Sequence, residues 1–92
     1  MKLNDTLMKP QTKIDITEEL VGQELFLFDQ KSETVFCLNS GAALIWFLCD
    51  GTREIDDIVS EIVLLSPVPE PQIRVEVHEA ITQFQTLNLL NS

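Results

Sequence analysis

The chain has 92 residues, 45% of them hydrophobic, which is enough for one small domain with a modest core. Six Lys and Arg against fifteen Asp and Glu give a formal net charge of −9. Binding to nucleic acids or to anionic membranes needs clustered cations, whereas these six are scattered, so neither partner is expected. No signal peptide and no apolar run of membrane-spanning length is visible, which predicts a cytoplasmic protein.

The chain opens with a polar segment, residues 1–12, which we expect to be a flexible arm preceding a domain at residues 13–92. The stretch KIDIT alternates Ile14 and Ile16 with polar residues, as in a half-buried strand, and EELVG follows as a connector. Two further strands, ELFLFD and TVFCL, flank the polar turn QKSE and predict a hairpin. Together they indicate a three-stranded antiparallel meander.

The hydrophobic period changes after the third strand. Asn39 or Ser40 can cap a helix that is apolar all round, and Trp46, Phe47 and Leu48 in it are interpreted as core. Gly51 is a plausible stop for this helix. The apolar runs also contain the two cysteines, Cys37 and Cys49, which we interpret as buried free thiols; a disulfide is the alternative.

Two more helices are predicted towards the C-terminus. Thr52 is a candidate cap for the second, whose apolar face is Ile55, Ile58, Val59 and Ile62. The proline-rich stretch SPVPEP ends it, and Pro71 opens a third helix that runs to about Leu89. The expected core positions of that helix are Ile73, Val77, Ala80 or Ile81, Phe84 and Leu87.

Groups for catalysis are scarce. His78 is the one histidine, tyrosine is absent, and thiols in apolar segments resist ionisation. Two cysteines and one histidine do not supply the paired ligands of a zinc site. The carboxylates of the second helix follow helical spacing and are interpreted as a solvated face: Glu54, Asp57 and Glu61. We therefore expect no metal, no cofactor and no enzymatic activity of the chain alone.

Strands that precede helices indicate an α+β domain. If the sheet follows chain order, Thr34 to Leu38 is an edge strand, and an edge strand displays unpaired backbone groups. Such an edge can accept a peptide as an added strand, with main-chain bonds for affinity and pockets for specificity. The alternative is an edge covered by the N-terminal arm or by a second copy in a homodimer.

Several coordinated positions resemble the PqqD family. That family's pattern joins a strand with a Leu-Leu-Asp-like end, a Leu-Asn strand end, small residues, an Ile-Trp helix, an Asp-Gly turn and an amphipathic helix. In this chain the matching positions are Leu27–Phe28–Asp29, Leu38–Asn39, Gly41 to Ala43, Ile45–Trp46, Asp50–Gly51 and Ile55 to Val59. The resemblance covers about Ile14 to Leu90.

The resemblance implies a winged-helix-like fold, with a three-stranded antiparallel sheet followed by three helices. It also implies a recognition element for ribosomally synthesised and post-translationally modified peptides (RiPPs), which binds the leader of a precursor peptide. In the family the leader adds a strand beside the third strand and against the third helix. The contacts carried over from the family, with the helix positions chosen by helical spacing, are Thr34, Val35, Phe36, Cys37, Leu38, Arg74, His78, Ile81 and Gln85.

Within this interpretation Arg74 and His78 are expected to pair with acidic leader residues, and Ile81 to receive an apolar one. The partner implied first is a radical SAM maturase. The alternative within the class is an accessory protein that delivers lasso-peptide leaders to a protease. From another class, the rival is a winged-helix DNA-binding regulator, which needs a basic recognition helix, whereas the third helix sets Arg74 against Glu76 and Glu79.

Overall fold

The computed structural model describes residues 8–91. Six elements follow in chain order: β1 (Ile16–Val21), β2 (Glu24–Asp29), β3 (Thr34–Leu38), α1 (Ser40–Leu48), α2 (Ile55–Leu65) and α3 (Glu70–Thr86). The strands form one antiparallel sheet in the order β1-β2-β3. The predicted α+β class, a three-stranded antiparallel sheet followed by three helices, is confirmed.

The first strand lies later in the chain than predicted. β1 begins at Ile16, and most of the predicted connector EELVG belongs to it. Ile14, the residue expected to alternate into the core, is 99% exposed and lies in a turn. A two-residue turn joins β1 to β2, and its first residue, Gly22, has φ +62°, which glycine adopts without steric cost. The turn therefore extends the first strand to Val21.

The sheet has a core face and an outer face. In β2 the buried residues Leu25 and Leu27 alternate with more exposed ones, and register places Leu38 and Phe36 of β3 opposite these two. Successive side chains of a strand point to opposite faces. The outer face therefore carries the apolar side chains Phe26, Phe28, Val35 and Cys37, and it is not covered by any described element.

The change from β3 to α1 depends on Asn39. Its backbone is extended (φ −71°, ψ 175°), and its side-chain oxygen accepts a hydrogen bond from the Ala42 N–H at 2.9 Å. Asn39 is thus the cap, and Ser40 is the first helical residue. The interpretation of the whole helix as core is wrong for Phe47, which is 49% exposed, whereas Leu48 is half-buried. The residues that α1 buries are Ala43, Ile45 and Trp46.

The predicted apolar face of α2 is confirmed, since Ile55, Ile58, Val59 and Ile62 are all buried. The helix begins later than predicted, with Glu54 as its cap. The Asp57 carboxylate accepts a hydrogen bond from the Glu54 N–H at 3.0 Å. Thr52, the predicted cap, instead donates its hydroxyl to Asp50.

Pro69 caps α3, and Pro71 is its second residue, where a missing N–H costs nothing. The buried residues of this helix are Ile73, Val77, Ile81 and Phe84. Of the two predicted alternatives, Ile81 is the core residue and Ala80 is half-buried. Leu87, a further predicted core residue, is half-buried at the end of the helix.

Trp46 joins the helical and the sheet sides of the core. It is 1% exposed and packs edge-to-face on Phe84, with 5.3 Å between ring centroids and an interplanar angle of 89°. Its Nε1–H donates to the Glu18 carboxylate of β1 at 2.6 Å. One side chain therefore links α1, α3 and β1.

The last part of the predicted N-terminal arm is hydrogen bonded. The Thr12 N–H donates to the Cys49 carbonyl, the Gly51 N–H to the Pro10 carbonyl and the Asn91 N–H to the Gln11 carbonyl, all within 3.0 Å. Pro10 is also fully buried. Residues 10–12 are thus fixed against the domain, while residues 1–7 of the predicted arm lie outside the described residues. The boundary at residues 12 and 13 stays a prediction.

Candidate functional site

The candidate site begins at the free edge of β3. One side of this strand pairs with β2, with Thr34 opposite Asp29 and Leu38 opposite Leu25. Apart from this pairing with β2, no backbone group of β3 bonds to the backbone of another segment within residues 8–91. Among the described residues the edge is therefore open, since neither residues 8–12 nor a helix bonds to its backbone. β1 has a second open edge on the far side of the sheet.

A cleft lies directly beyond the end of β3, between the first turns of α1 and the middle of α3. Its volume is about 460 Å³, and Asn39, the residue after Leu38, lines it. We call this depression the α1–α3 cleft. Its lining residues are Asn39, Gly41, Ala42, Leu44, Ile45, Ile62, Ser66, Ile73, Glu76, Val77, Glu79, Ala80 and Gln83.

The α1–α3 cleft has an apolar bottom. The buried residues Ile45, Ile62, Ile73 and Val77 reach it from three helices. Its polar groups come mainly from α3 and from the turn at Asn39. An apolar pocket with a few polar groups is the usual design of a site for a small ligand or a single side chain.

The five predicted residues of β3 divide between the two faces. Phe36 and Leu38 are directed to the helical side, where Leu38 is buried and Phe36 is half-buried against the core. Val35 and Cys37 belong to the outer face, and both are exposed. Thr34 is exposed at the turn end of the strand and donates its hydroxyl to the Ser32 carbonyl at 3.2 Å. The backbone of all five lies along the open edge.

The four predicted residues of α3 do not line the α1–α3 cleft. Arg74 forms ion pairs with Asp56 of α2 and Glu70, and these carboxylates raise the pKa of its guanidinium. His78 lines a second, shallow depression together with Thr82, and this depression shares Glu79 and Gln83 with the α1–α3 cleft.

The remaining two predicted residues of α3 also lie away from the cleft. Ile81 is 3% exposed and therefore belongs to the core, and Gln85 donates to the Met8 sulfur at 3.5 Å. The four residues chosen from helical spacing thus lie outside the α1–α3 cleft, and their contact with a leader stays a prediction.

Sequence reasoning missed the α3 residues that do line the cleft. Glu76, Ala80 and Gln83 follow one another at i, i+4 and i+7, so they form one stripe on the flank opposite to the predicted one. The core stripe has two flanks of similar composition. Which of the two flanks lines the cleft depends on where α1 packs against α3. The sequence of α3 alone does not contain this information.

The two thiols differ in their surroundings. Cys49 is buried, and burial together with the nearby Asp50 carboxylate raises the pKa of its thiol to about 12. Cys37 is exposed on the outer face of β3, so the prediction of two buried thiols is wrong for Cys37. Both are free, and the alternative of a disulfide is not observed.

The carboxylates of α2 are part of the helix's own structure. Glu61 pairs with Arg53, and Glu54 and Asp57 take part in the cap. Among residues 8–91 no group of three or more His, Cys, Asp or Glu side chains is placed to hold a metal ion. Across the same part of the chain, none of the helices has the length and apolar character needed to cross a membrane.

Residues 24–90 match the sequence model of one protein family, described as Coenzyme PQQ synthesis protein D (PqqD). No curated protein matches the chain. Two solved structures share its fold with a TM-score of 0.79. TbiB1 in complex with the TbiA(beta) leader peptide is 18% identical, over 89% of this chain and 95% of that one. Lasso peptide synthetase B1 complexed with the leader peptide is 15% identical, over 91% and 99%.

Proposed function

Because the chain belongs to the PqqD family, we propose that it is a non-catalytic RiPP recognition element. In this proposal it binds the leader of a ribosomally made precursor peptide as an added strand along β3. It then presents the precursor to a modifying enzyme. The observation that carries the proposal is the open edge of β3 among the described residues, together with an apolar cleft that is lined by Asn39, the next residue after this strand. The leader peptides in the two solved complexes support the class of ligand.

The physical basis is a preformed binding edge. Backbone pairing to an ordered strand costs the protein little conformational entropy, so a short peptide can bind usefully. β3 has five residues and spans about 16 Å at 3.3 Å per residue. A leader segment of about eight residues is therefore long enough to pair with β3 and to extend two or three residues into the α1–α3 cleft.

The groups present do not favour catalysis by the chain alone. Cys49 is buried with a raised pKa, so its thiolate is not available as a nucleophile near neutral pH. His78, the one histidine, lines the shallow depression next to the α1–α3 cleft, where it has no cysteine beside it to activate. The DNA-binding alternative needs free cations on α3, whereas the one Arg of that helix is paired with two carboxylates.

The partner enzyme follows from the resemblance to the family, which implies a radical SAM maturase first. A leader protease of a lasso-peptide pathway is the alternative, and the lasso peptide synthetase B1 structure favours it. Two free cysteines accord with action in the reducing cytoplasm, where precursor peptides are made.

The test is a titration of ¹⁵N-labelled protein with the leader of the precursor peptide that is encoded beside the chain's own gene. We expect amide shifts in β3 and along the cleft side of α3. The amides of β1 serve as the internal control, because β1 has an equally open edge without an adjoining cleft. Shifts confined to β1, or absent from both β3 and α3, would contradict strand addition at β3.

A second measurement tests the backbone pairing itself. An added strand uses alternate peptide N–H groups for the ladder and leaves the others free. Two leader peptides, N-methylated at alternate residues of opposite parity, therefore separate the two sets. We expect a large loss of affinity for one parity and a small loss for the other. Equal losses for the two peptides would argue against a strand-like bound state.

A further inference from the structure

The charge of the α1–α3 cleft is one-sided. Glu76 and Glu79 are its two charged lining residues, and both are exposed at its rim on α3. Glu76 accepts a hydrogen bond from the neutral Gln72 side chain at 3.2 Å. Within residues 8–91 Glu79 forms no ion pair and no side-chain hydrogen bond. The rim thus holds two carboxylates that no described cation neutralises.

The opposite wall has no charged side chain, and it contributes only the partial positive charge of a helix N-terminus, about half an elementary charge. It is formed by the start of α1, with Asn39, Gly41 and Ala42, and α1 has neither acidic residues in its first turn nor basic residues in its last. The one arginine of α3, Arg74, forms ion pairs with Asp56 and Glu70. The chain as a whole carries a formal net charge of −9, which adds a field of the same sign.

From this combination of an apolar bottom and an acidic rim we infer the class of leader that fits, and the inference rests on the proposed function. The leader segment in the cleft carries an apolar side chain that enters between α1 and α3. A lysine or arginine two residues away lies on the same face of the added strand and pairs with Glu76 or Glu79. The leader charge is therefore the opposite of the one expected from Arg74 and His78.

Exposed ion pairs contribute little individually, and salt screens them. Two rim carboxylates together are expected to strengthen the binding of a lysine-containing peptide about 3- to 10-fold at low ionic strength. The apolar side chain supplies the larger part of the affinity, because its apolar surface is buried between α1 and α3 and removed from water. Charge at the rim hence selects among peptides that already carry the apolar residue.

The probe is a displayed library of random 12-residue peptides selected on the full chain. We expect the selected peptides to share an apolar residue and a Lys or Arg at i±2. One selected peptide is then synthesised, and its binding is measured in 20 mM and 500 mM NaCl. The Glu76→Gln/Glu79→Gln variant should lose about 3- to 10-fold in affinity at low salt and little at high salt.

The matched control is Glu19→Gln/Glu24→Gln, which removes the same charge from two exposed positions on the outer face of the sheet. It should change the affinity less than about 2-fold. If peptides that shift the β3 amides bind equally well with Gln in place of Lys, or if the two variants behave alike, the inference is overturned and the proposed function stands. If no selected peptide shifts the β3 amides, both are overturned.

Discussion

Replacing Trp46 by alanine tests whether the core is organised as described. The indole is 1% exposed, packs edge-to-face on Phe84 and donates to Glu18. Truncation of a buried Trp costs about 3 to 5 kcal/mol, including the cavity it leaves. The hydrogen bond adds little to this, because Glu18 is exposed and water replaces the indole as its donor.

This loss is large for a domain of 92 residues, whose free energy of unfolding is expected to be about 5 to 14 kcal/mol. Because the variant has no tryptophan, its unfolding in urea is followed by far-UV circular dichroism. We expect the urea concentration at the midpoint of unfolding to fall steeply. The dependence of the free energy of unfolding on urea concentration should stay unchanged.

The control is Phe47→Ala, one residue further along the same helix. Phe47 is 49% exposed, so its loss should cost less than about 1 kcal/mol. The comparison cancels the change in helix propensity, since both variants introduce alanine into α1. A cost for Trp46→Ala below about 1 kcal/mol, or equal to that for Phe47→Ala, would refute the assignment of Trp46 to the centre of the core.

Three further predictions follow from single contacts. A thiol reagent at pH 8 should label the exposed Cys37 quickly and Cys49 only after unfolding, and fast labelling of both would contradict the burial of Cys49. Between pH 9 and about pH 12 the free energy of unfolding should fall by up to about 1.4 kcal/mol per pH unit, because Cys49 ionises there in the unfolded chain but not in the folded one. A Cys49→Ala variant should lack this loss. Asn39→Ala should cost about 1 kcal/mol in a urea melt, whereas Ser40→Ala should cost little.

The sequence predicted those elements correctly in which the buried residues recur at a regular spacing. The apolar stripe of α2 was predicted completely, because its four residues repeat at helical spacing and all face the core. The strands β2 and β3 and the edge position of β3 were likewise predicted. The first strand was misplaced because β1 buries one residue, Ile16, and therefore lacks the alternation that marks a half-buried strand.

The sequence did not predict which side chains of α1 are exposed or which flank of α3 lines the cleft. In α1 nearly every side chain is apolar, so the sequence does not distinguish the buried Trp46 from the exposed Phe47. In α3 the stripe with Ile81 is core, while the cleft takes the flank with Glu76 and Gln83. Both assignments depend on how α1 and α3 pack together, which is a contact between residues distant in sequence.

The uncovered outer face of the sheet has a consequence for any strand that adds to β3. Half of the added side chains would turn towards the helices, and the other half would continue the surface formed by Val35 and Cys37. A third protein that contacts the side chains of the added strand together with Val35 and Cys37 would meet a surface that neither molecule displays alone. An enzyme that binds this composite surface would distinguish the domain with a bound leader from the free domain, without any change in the shape of the domain.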